Sequence, residues 1–526
     1  MRTGLFGMVF IITLIFSGKE ILGQAIIPQP NEIKEKEGHF TLKEGQIIAY
    51  SDFDNGQLSY YLQGELMDRF GIYTKVSHEN EKADYQFVIE PNWEKEEYQL
   101  EVANNIFISG REAGMFYGIQ SLLQIVNSAD KEKDRFRIPN QLINDIPRFS
   151  WRGIMLDESR HFFGKDVVKQ LLKWMAFYKL NVFHWHLTDS PGWRVEIKQY
   201  PDLANIGGIG DDHDPDQPAQ YYTQDEIREI VNYASKLHIL VIPEIDMPGH
   251  ATSINRAYPV FSGGGSENHP EFTLHPTRDT VVQFLTDVLK EVDALFPSQM
   301  IHIGGDEVHF GNQEWKTDPD VVKWMNENNA SSLIDVEHYF LRRMADTVRA
   351  LNNTLLGWDE VINADLDTEN SIIYWWRHDK HTALTSALDK NYDVVLCPRI
   401  PLYLDFVQDE NNSNGRKWGG RFADLQTLYQ FPPDTLYHSS HNNQVLGMQG
   451  NIWTERIADN NRLMFMTFPR ITALSEAGWS NNAVKNYDRY LERLQFHLPL
   501  FKDAGIYYYD VFNPASTPEP PIIEGK

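Results

Sequence analysis

Eight short apolar runs with amphipathic helical stretches between them constrain this 526-residue chain more than any other feature. The runs are Gly153 to Leu156, Val182 to Leu187, Leu240 to Ile245, Met300 to Ile303, Thr354 to Trp358, Ile372 to Trp376, Val394 to Cys397 and Leu446 to Trp453. Helical spacing of apolar residues marks Lys165 to Tyr178, Gln224 to Lys236, Thr280 to Leu295, Leu333 to Leu351, His381 to Leu388 and Arg462 to Ala477. Strands alternating with helices in this number predict an α/β fold, a (β/α)8 TIM barrel over residues 148–505, with its active site where the strands end. Polar stretches at Gly207 to Gln220, Ser262 to Pro270 and Asp409 to Gly420 are then long loops over that face, of a length that usually serves function.

Before the barrel, residues 27–146 mix short strand patterns with the helical run Arg111 to Val126, and read as a small α+β domain ending near Asp145-Ile146-Pro147. The first residues, Met1-Arg2, an apolar run from Leu5 to Phe16 and a small-residue exit at Gly23-Gln24-Ala25, describe a secretory signal peptide over 1–24. That run is too short for a membrane span, which needs about 20 apolar residues, and no other stretch is long enough. Residues 506–526 read as a C-terminal tail. Cys397 is the single cysteine, so neither an intrachain disulfide nor a cysteine-based metal cluster can form, and it reads as a buried strand thiol. An exported chain of this size without disulfides points to a bacterial periplasmic or secreted enzyme. The net charge of −26 argues against nucleic acid or anionic membrane as a partner, because phosphate neutralisation needs clustered Lys and Arg.

Each strand exit carries an acid, a histidine, an arginine or a tryptophan. In order they are Asp157-Glu158-Ser159-Arg160-His161, Thr188-Asp189 with Trp193, Asp246 to His250, Asp306-Glu307, Trp358-Asp359-Glu360, Trp376-Arg377, Tyr403-Leu404-Asp405 and Trp453-Thr454-Glu455. One such exit is ordinary turn chemistry; eight together make a single polar, Trp-lined cleft. In the fourth, His302-Ile303-Gly304-Gly305-Asp306-Glu307, two carboxylic acids are adjacent. Neighbours in extended backbone point to opposite sides, so two roles at one exit need a bend, which the glycines can supply.

With these residues the chain resembles glycoside hydrolase family 20, the β-N-acetylhexosaminidases. The His-x-Gly-Gly-Asp-Glu motif stands intact at His302 to Glu307. It is supported by Arg152 to Asp157 with Arg160-His161, by His184-Trp185-His186-Leu187-Thr188-Asp189, and by Pro243-Glu244-Ile245-Asp246-Met247-Pro248-Gly249-His250. The motifs fall in the family's order, and the resemblance covers roughly residues 27–505. It implies exo-acting, retaining hydrolysis of terminal GlcNAc or GalNAc in which the substrate's own acetamido oxygen is the nucleophile, an exception to the two-carboxylate scheme. By the same resemblance Glu307 is the proton donor and base, Asp306 holds the acetamido N–H, and Tyr403 donates to the acetamido oxygen. Asp189 and His250 form a relay behind Glu307. Trp358, Trp376 and Trp453 wall the acetamide pocket and support the sugar, with Trp376 chosen over Trp375 because a basic residue follows it. Arg160, Asp405 and Glu455 hold the terminal sugar's hydroxyls. The resemblance implies no metal and no cofactor, and its partner is an oligosaccharide or glycoconjugate ending in an N-acetylhexosamine.

Other readings compete with this one. A zinc site built from His184, His186, His250 and His302 is conceivable from composition alone. Trp185 and His186 read as barrel interior, and Asp157 and His161 are open between structural pairing beside Arg160 and contact with substrate. A catalytically silent sugar-binding protein would lack the acid, and Glu307 is present. A relative releasing a disaccharide would need an open pocket beyond O3 or O4, where Arg160 and Glu455 stand. Asp405, expected near the sugar's O6, disfavours anionic sugars and predicts a neutral terminal residue.

Overall fold

A computed structural model describes residues 25–79 and 82–522. The leader expected at 1–24 lies outside the described residues. The N-terminal part builds one mixed sheet in which Glu32–Leu42, Arg135–Asp145, Tyr98–Val102, Ile106–Gly110, Tyr85–Ile89, Ile47–Ala49 and Lys75–Ser77 follow in that spatial order. Pairing is antiparallel along the first four and parallel beyond. The helix Glu112–Ser128 is buried from Ala113 to Val126, as expected of a helix enclosed on every side. One side packs on the sheet, and on the other Gln124 donates to Phe177 O (2.9 Å) in the barrel.

The junction is polar and buried. Asp145, the last residue of its strand, receives hydrogen bonds from Tyr98 Oη (2.8 Å) and Trp479 Nε1 (2.9 Å) and pairs with Lys179 Nζ (3.3 Å). Burial pulls the Lys179 ammonium down to about 8 in spite of Asp145.

Trp151–Asp157, Val182–His186, Leu240–Glu244, Met300–His302, Thr354–Trp358, Ser371–Trp375, Asp393–Leu396 and Val445–Ile452 close into a parallel barrel in chain order, the eighth strand pairing with the first. Amphipathic helices surround it, among them Lys165–Phe177, Gln224–Lys236, Asp279–Asp293 and Leu333–Ala350. Two hold capping boxes, Thr223 with Glu226 and Ser332 with Asp335, which satisfy backbone N–H groups that a helix start leaves unpaired.

Three expectations change. The helix expected over Arg462 to Ala477 is two, Asn460–Thr467 and Arg470–Trp479. Pro469 offers no N–H, and the residue before a proline is driven to extended backbone, as Phe468 is at φ −103°, ψ 135°. The loop at 262–270 begins with a short strand, Ser262–Gly264, paired with Thr273–Leu274. The stretch 506–522 is docked rather than free: Glu519 accepts from Ser413 N (2.8 Å) and Asn414 N (3.1 Å), and Pro520 O accepts from Arg462 Nη1 (2.9 Å).

Candidate active site

The fourth barrel strand ends at His302, and the chain turns through Gly304 (φ 67°) and Gly305 (φ 86°) before Asp306 and Glu307. Both glycines are sterically required: a Cβ on Gly304 would lie 1.8 Å from Asp246 Oδ1, and one on Gly305 would lie 2.5 Å from Val361 Cγ1. Glu307 itself takes a left-handed conformation (φ 53°), which costs a non-glycine residue roughly 1–2 kcal/mol. The bend separates the two acids. The Asp306 side chain is 12% exposed and lies deep, whereas that of Glu307 is 32% exposed and reaches into the cleft.

Behind Glu307 runs a charged relay. His250 Nε2 stands 3.8 Å from Glu307 Oε2 and 3.9 Å from Asp306 Oδ2, and its Nδ1 bonds Asp189 Oδ1 at 2.9 Å. Burial opposes the His250 imidazolium, but the Asp189 carboxylate overcomes it and pushes the ring up to about 9. Burial works against the Asp189 anion too, yet Arg160 and His250 hold it well below the usual carboxylate range. Asp306 moves the other way: burial, with the Asp246 carboxylate beside it, lifts it well above that range, and His250 resists the shift. Asp246 is itself raised, by burial and by the Glu244 and Asp189 carboxylates.

Glu244, at the end of the third strand, is a hub that sequence reasoning did not single out. It accepts from Trp358 Nε1 (2.9 Å) and His186 Nδ1, with His184 Nε2 at 3.1 Å and His302 Nδ1 at 3.0 Å. Burial alone would raise its carboxyl, but the surrounding histidines hold it well below the usual range. His186 turns its Nε2 to Asp189 Oδ2 (3.1 Å), which joins the hub to the relay. The four histidines conceivable as zinc ligands do not share one centre: His184, His186 and His302 gather round Glu244, where His184, Glu244 and His302 bring ligand atoms within 4.8 Å of one another, and His250 faces Asp189. Trp185 is buried against Tyr222, in the layer outside the strands.

The cleft measures about 380 Å³, within the ordinary range for a small-ligand site. All the site residues expected from the sequence fall at its wall or one layer beneath it. Arg160, Asp189, His250, Asp306, Glu307, Trp376, Tyr403, Trp453 and Glu455 line it. Asp405 and Trp358 are buried behind that lining; Trp358 packs 5.8 Å from Trp453, and its indole faces Glu244, so it backs the pocket rather than walling it. Trp376 and Tyr403 stack nearly parallel at 6.4 Å, and the Arg160 guanidinium lies 5.0 Å over Trp453. Trp375 points away, its Nε1 donating to Lys380 O. Asp157 is wholly buried and accepts from Ser159 N, Arg160 N and Thr454 N, and His161 Nδ1 meets Thr454 O at 2.6 Å; both brace the first and eighth exits. Asp306 Oδ1, His250 Nε2 and Glu455 Oε2 are buried with no hydrogen-bond partner among the described residues. Buried polar atoms left unpaired around one cleft are groups available to a polar ligand.

The model of the catalytic domain of glycosyl hydrolase family 20 matches residues 149–482, and that of the family's domain 2 matches 23–146. The chain belongs to glycosyl hydrolase family 20. A β-hexosaminidase of Vibrio furnissii is 32% identical over 476 residues, covering 86% of this chain and 76% of the relative. One of Porphyromonas gingivalis is 31% identical over 92% of this chain, which spans 65% of that protein's length. Among solved structures, a family 20 exo-β-N-acetylglucosaminidase of Vibrio harveyi in complex with N-acetylglucosamine has a TM-score of 0.85 at 31% identity, over 93% of this chain and 78% of the other. In this family 20 chain, sequence reasoning overlooked Arg416, Lys417, Trp418 and Arg456 at the cleft as well as Glu244 below it. The first three sit in the polar loop Asp409 to Gly420, where neither periodicity nor motif marks a side chain. Glu244 stands inside a quoted motif, and its carboxyl in an apolar strand was the available signal.

Proposed function

We propose that this glycoside hydrolase is an exo-acting, retaining β-N-acetylhexosaminidase that removes terminal non-reducing β-linked GlcNAc or GalNAc with the help of the substrate's own acetamido group. The observation that carries this reading is the division of labour at the fourth strand exit: a deep carboxyl that resists ionisation beside a more exposed one backed by a charged relay. As membership of family 20 implies, the nucleophile is the substrate's acetamido oxygen rather than a carboxylate. This oxygen attacks the anomeric carbon, the glycosidic C–O bond breaks, and the leaving oxygen takes the Glu307 proton. Asp306 accepts the acetamido N–H and faces the oxazolinium cation, whose charge favours the Asp306 anion as it develops. Glu307 then takes a proton from water as that water adds to the anomeric carbon from the face the leaving group vacated. Tethering the nucleophile removes most of a bimolecular entropy cost, worth up to roughly 7–11 kcal/mol.

The relay of His250 and Asp189 stands directly behind Glu307, with His250 Nε2 3.8 Å from Glu307 Oε2. Trp376, Tyr403 and Trp453 form the acetamide pocket, backed by Trp358. Arg160 is fixed by Asp189 (2.7 Å) and Asp157 (3.4 Å), and Glu455 lies across from it, which supports a closed, exo-acting end. Export is the reading that the apolar leader supports. Hydrolysis of aryl β-GlcNAc, aryl β-GalNAc and aryl β-Glc tests the mechanism: the first two should turn over, and equal turnover of the glucoside, which has no acetamido group, would refute it.

A further inference from the structure

Trp376 is a wall residue held at its backbone and at its ring by one short turn. The fifth strand runs into the 3-10 turn Asp359–Ala364, and the sixth, Ser371–Trp375, ends directly before Trp376. Asp359 Oδ2 accepts from Trp376 N and Arg377 N, both at 3.3 Å, and Asp359 Oδ1 accepts from Arg377 Nε. Glu360 reaches the ring itself: its Oε2 accepts from Trp376 Nε1 at 2.9 Å, and its Oε1 lies 3.3 Å from Arg377 Nη1.

The indole is buried, and a buried indole N–H needs a partner. Its faces are covered by stacking: Tyr403 lies nearly parallel at 6.4 Å, and the Arg399 guanidinium stands 4.8 Å from the ring centre. Stacking resists tilting but leaves a ring free to slide in its own plane, and the directional bond to Glu360 is the contact that stops the slide. Glu360 does not line the cleft, so what it does to the shape of the pocket it does through Trp376. Burial, with the Asp359 carboxylate beside it, pushes Glu360 up to about 8 against the pull of Arg377. A neutral acceptor therefore suits this place as well as a charged one. Glu360 also adds, after burial and the Asp246 carboxylate, to the upward shift of Asp306, an influence that falls alike on every substrate.

We infer that Glu360 is a positioning residue: through its hydrogen bond to Trp376 Nε1 it fixes one wall of the acetamide pocket and so sets the size of the N-acyl group that the cleft accepts. The inference rests on the hexosaminidase reading, in which Trp376 walls that pocket. One methylene more or less in an apolar pocket changes kcat/KM by roughly 10- to 200-fold. A wall fixed in place enforces that discrimination, and one that can slide by the length of a methylene relaxes it.

The test compares kcat/KM on aryl β-GlcNAc with kcat/KM on its N-propanoyl analogue, whose acyl group is longer by one methylene. The native protein should prefer the acetyl compound by about tenfold or more. Glu360→Ala removes the acceptor and Glu360→Asp draws it back; each should raise the propanoyl-to-acetyl ratio by about fivefold or more. Glu360→Gln keeps an acceptor of the same length and should leave the ratio within about twofold of native. In a Trp376→Phe background, which has no N–H to anchor, Glu360→Ala should change the ratio by less than about twofold, the non-additivity of residues that act as a unit. The inference is overturned by a native ratio near one, or by a ratio that Glu360→Ala and Glu360→Asp leave unchanged while both rates fall together, as an effect on Asp306 or on the fold alone would do. It is equally overturned if Glu360→Gln raises the ratio as much as Glu360→Ala, or if the rise persists in the Trp376→Phe background. If the native protein turned over neither glycoside, the hexosaminidase reading would fail, and the inference with it.

Discussion

Replacing Gly304 by alanine tests whether the bend at the fourth strand exit sets the position of the catalytic pair. The new Cβ would stand 1.8 Å from Asp246 Oδ1, where real Cβ contacts essentially never fall under 3.0 Å, at a backbone φ of 67°. The conformation alone costs roughly 1–2 kcal/mol. Relieving the contact requires Asp246 or the strand exit to move by about 1 Å, and a displacement of that size at a catalytic centre costs on the order of 100-fold. We therefore expect kcat/KM on aryl β-GlcNAc to fall about 100-fold, with urea denaturation showing about 2 kcal/mol or more of lost stability. Asp246→Ala removes the offending carboxylate, so adding it to Gly304→Ala should recover part of the stability, a coupling absent if the sites were independent. Native-like activity of Gly304→Ala, within about threefold, would refute the steric reasoning.

Glu307→Gln should lower turnover of chitobiose by about 100- to 10,000-fold, the usual worth of a positioned proton donor, with the fold intact by circular dichroism. Near-native turnover would reassign the acid. Asp145→Asn leaves the Lys179 ammonium buried without its carboxylate, which should cost about 3–5 kcal/mol in chemical denaturation; the double change with Lys179→Met should regain much of it. His497, whose Nε2 bonds Ala25 O at 2.7 Å, is held down to about 4 by burial, which the Ala25 carbonyl only partly offsets. The unfolded chain takes up this proton near pH 6.5 and the folded one only near 4, so stability should fall as pH drops through that window, by up to about 3 kcal/mol. His497→Gln should flatten that part of the stability profile; an unchanged profile would count against a buried neutral imidazole.

Much of the fold was legible because it depends on local pattern. The eight strands stand within one or two residues of the apolar runs, since a strand buried on both faces must be apolar wherever it lies in the chain. The helix expected across Phe468-Pro469 failed for an equally local reason: apolar spacing continued through a residue that cannot donate a backbone hydrogen bond. The catalytic pair was legible too, because two glycines before two acids announce a bend that ordinary residues could not make.

The barrel, the family and the identity of the acids at the strand exits are properties of the linear chain, consequences of periodicity and of motifs in fixed order. Which side chains meet across those exits is a property of the closed fold alone. Glu244 became a hub by facing three histidines from two neighbouring strands, Trp358 withdrew behind the pocket to bond it, and Arg416 reached from a featureless loop to lie between Asp405 and Glu455. Such pairings depend on distances of a few ångströms between residues far apart in the chain, and electrostatic energy at that range is set by the closed barrel rather than by any stretch of sequence.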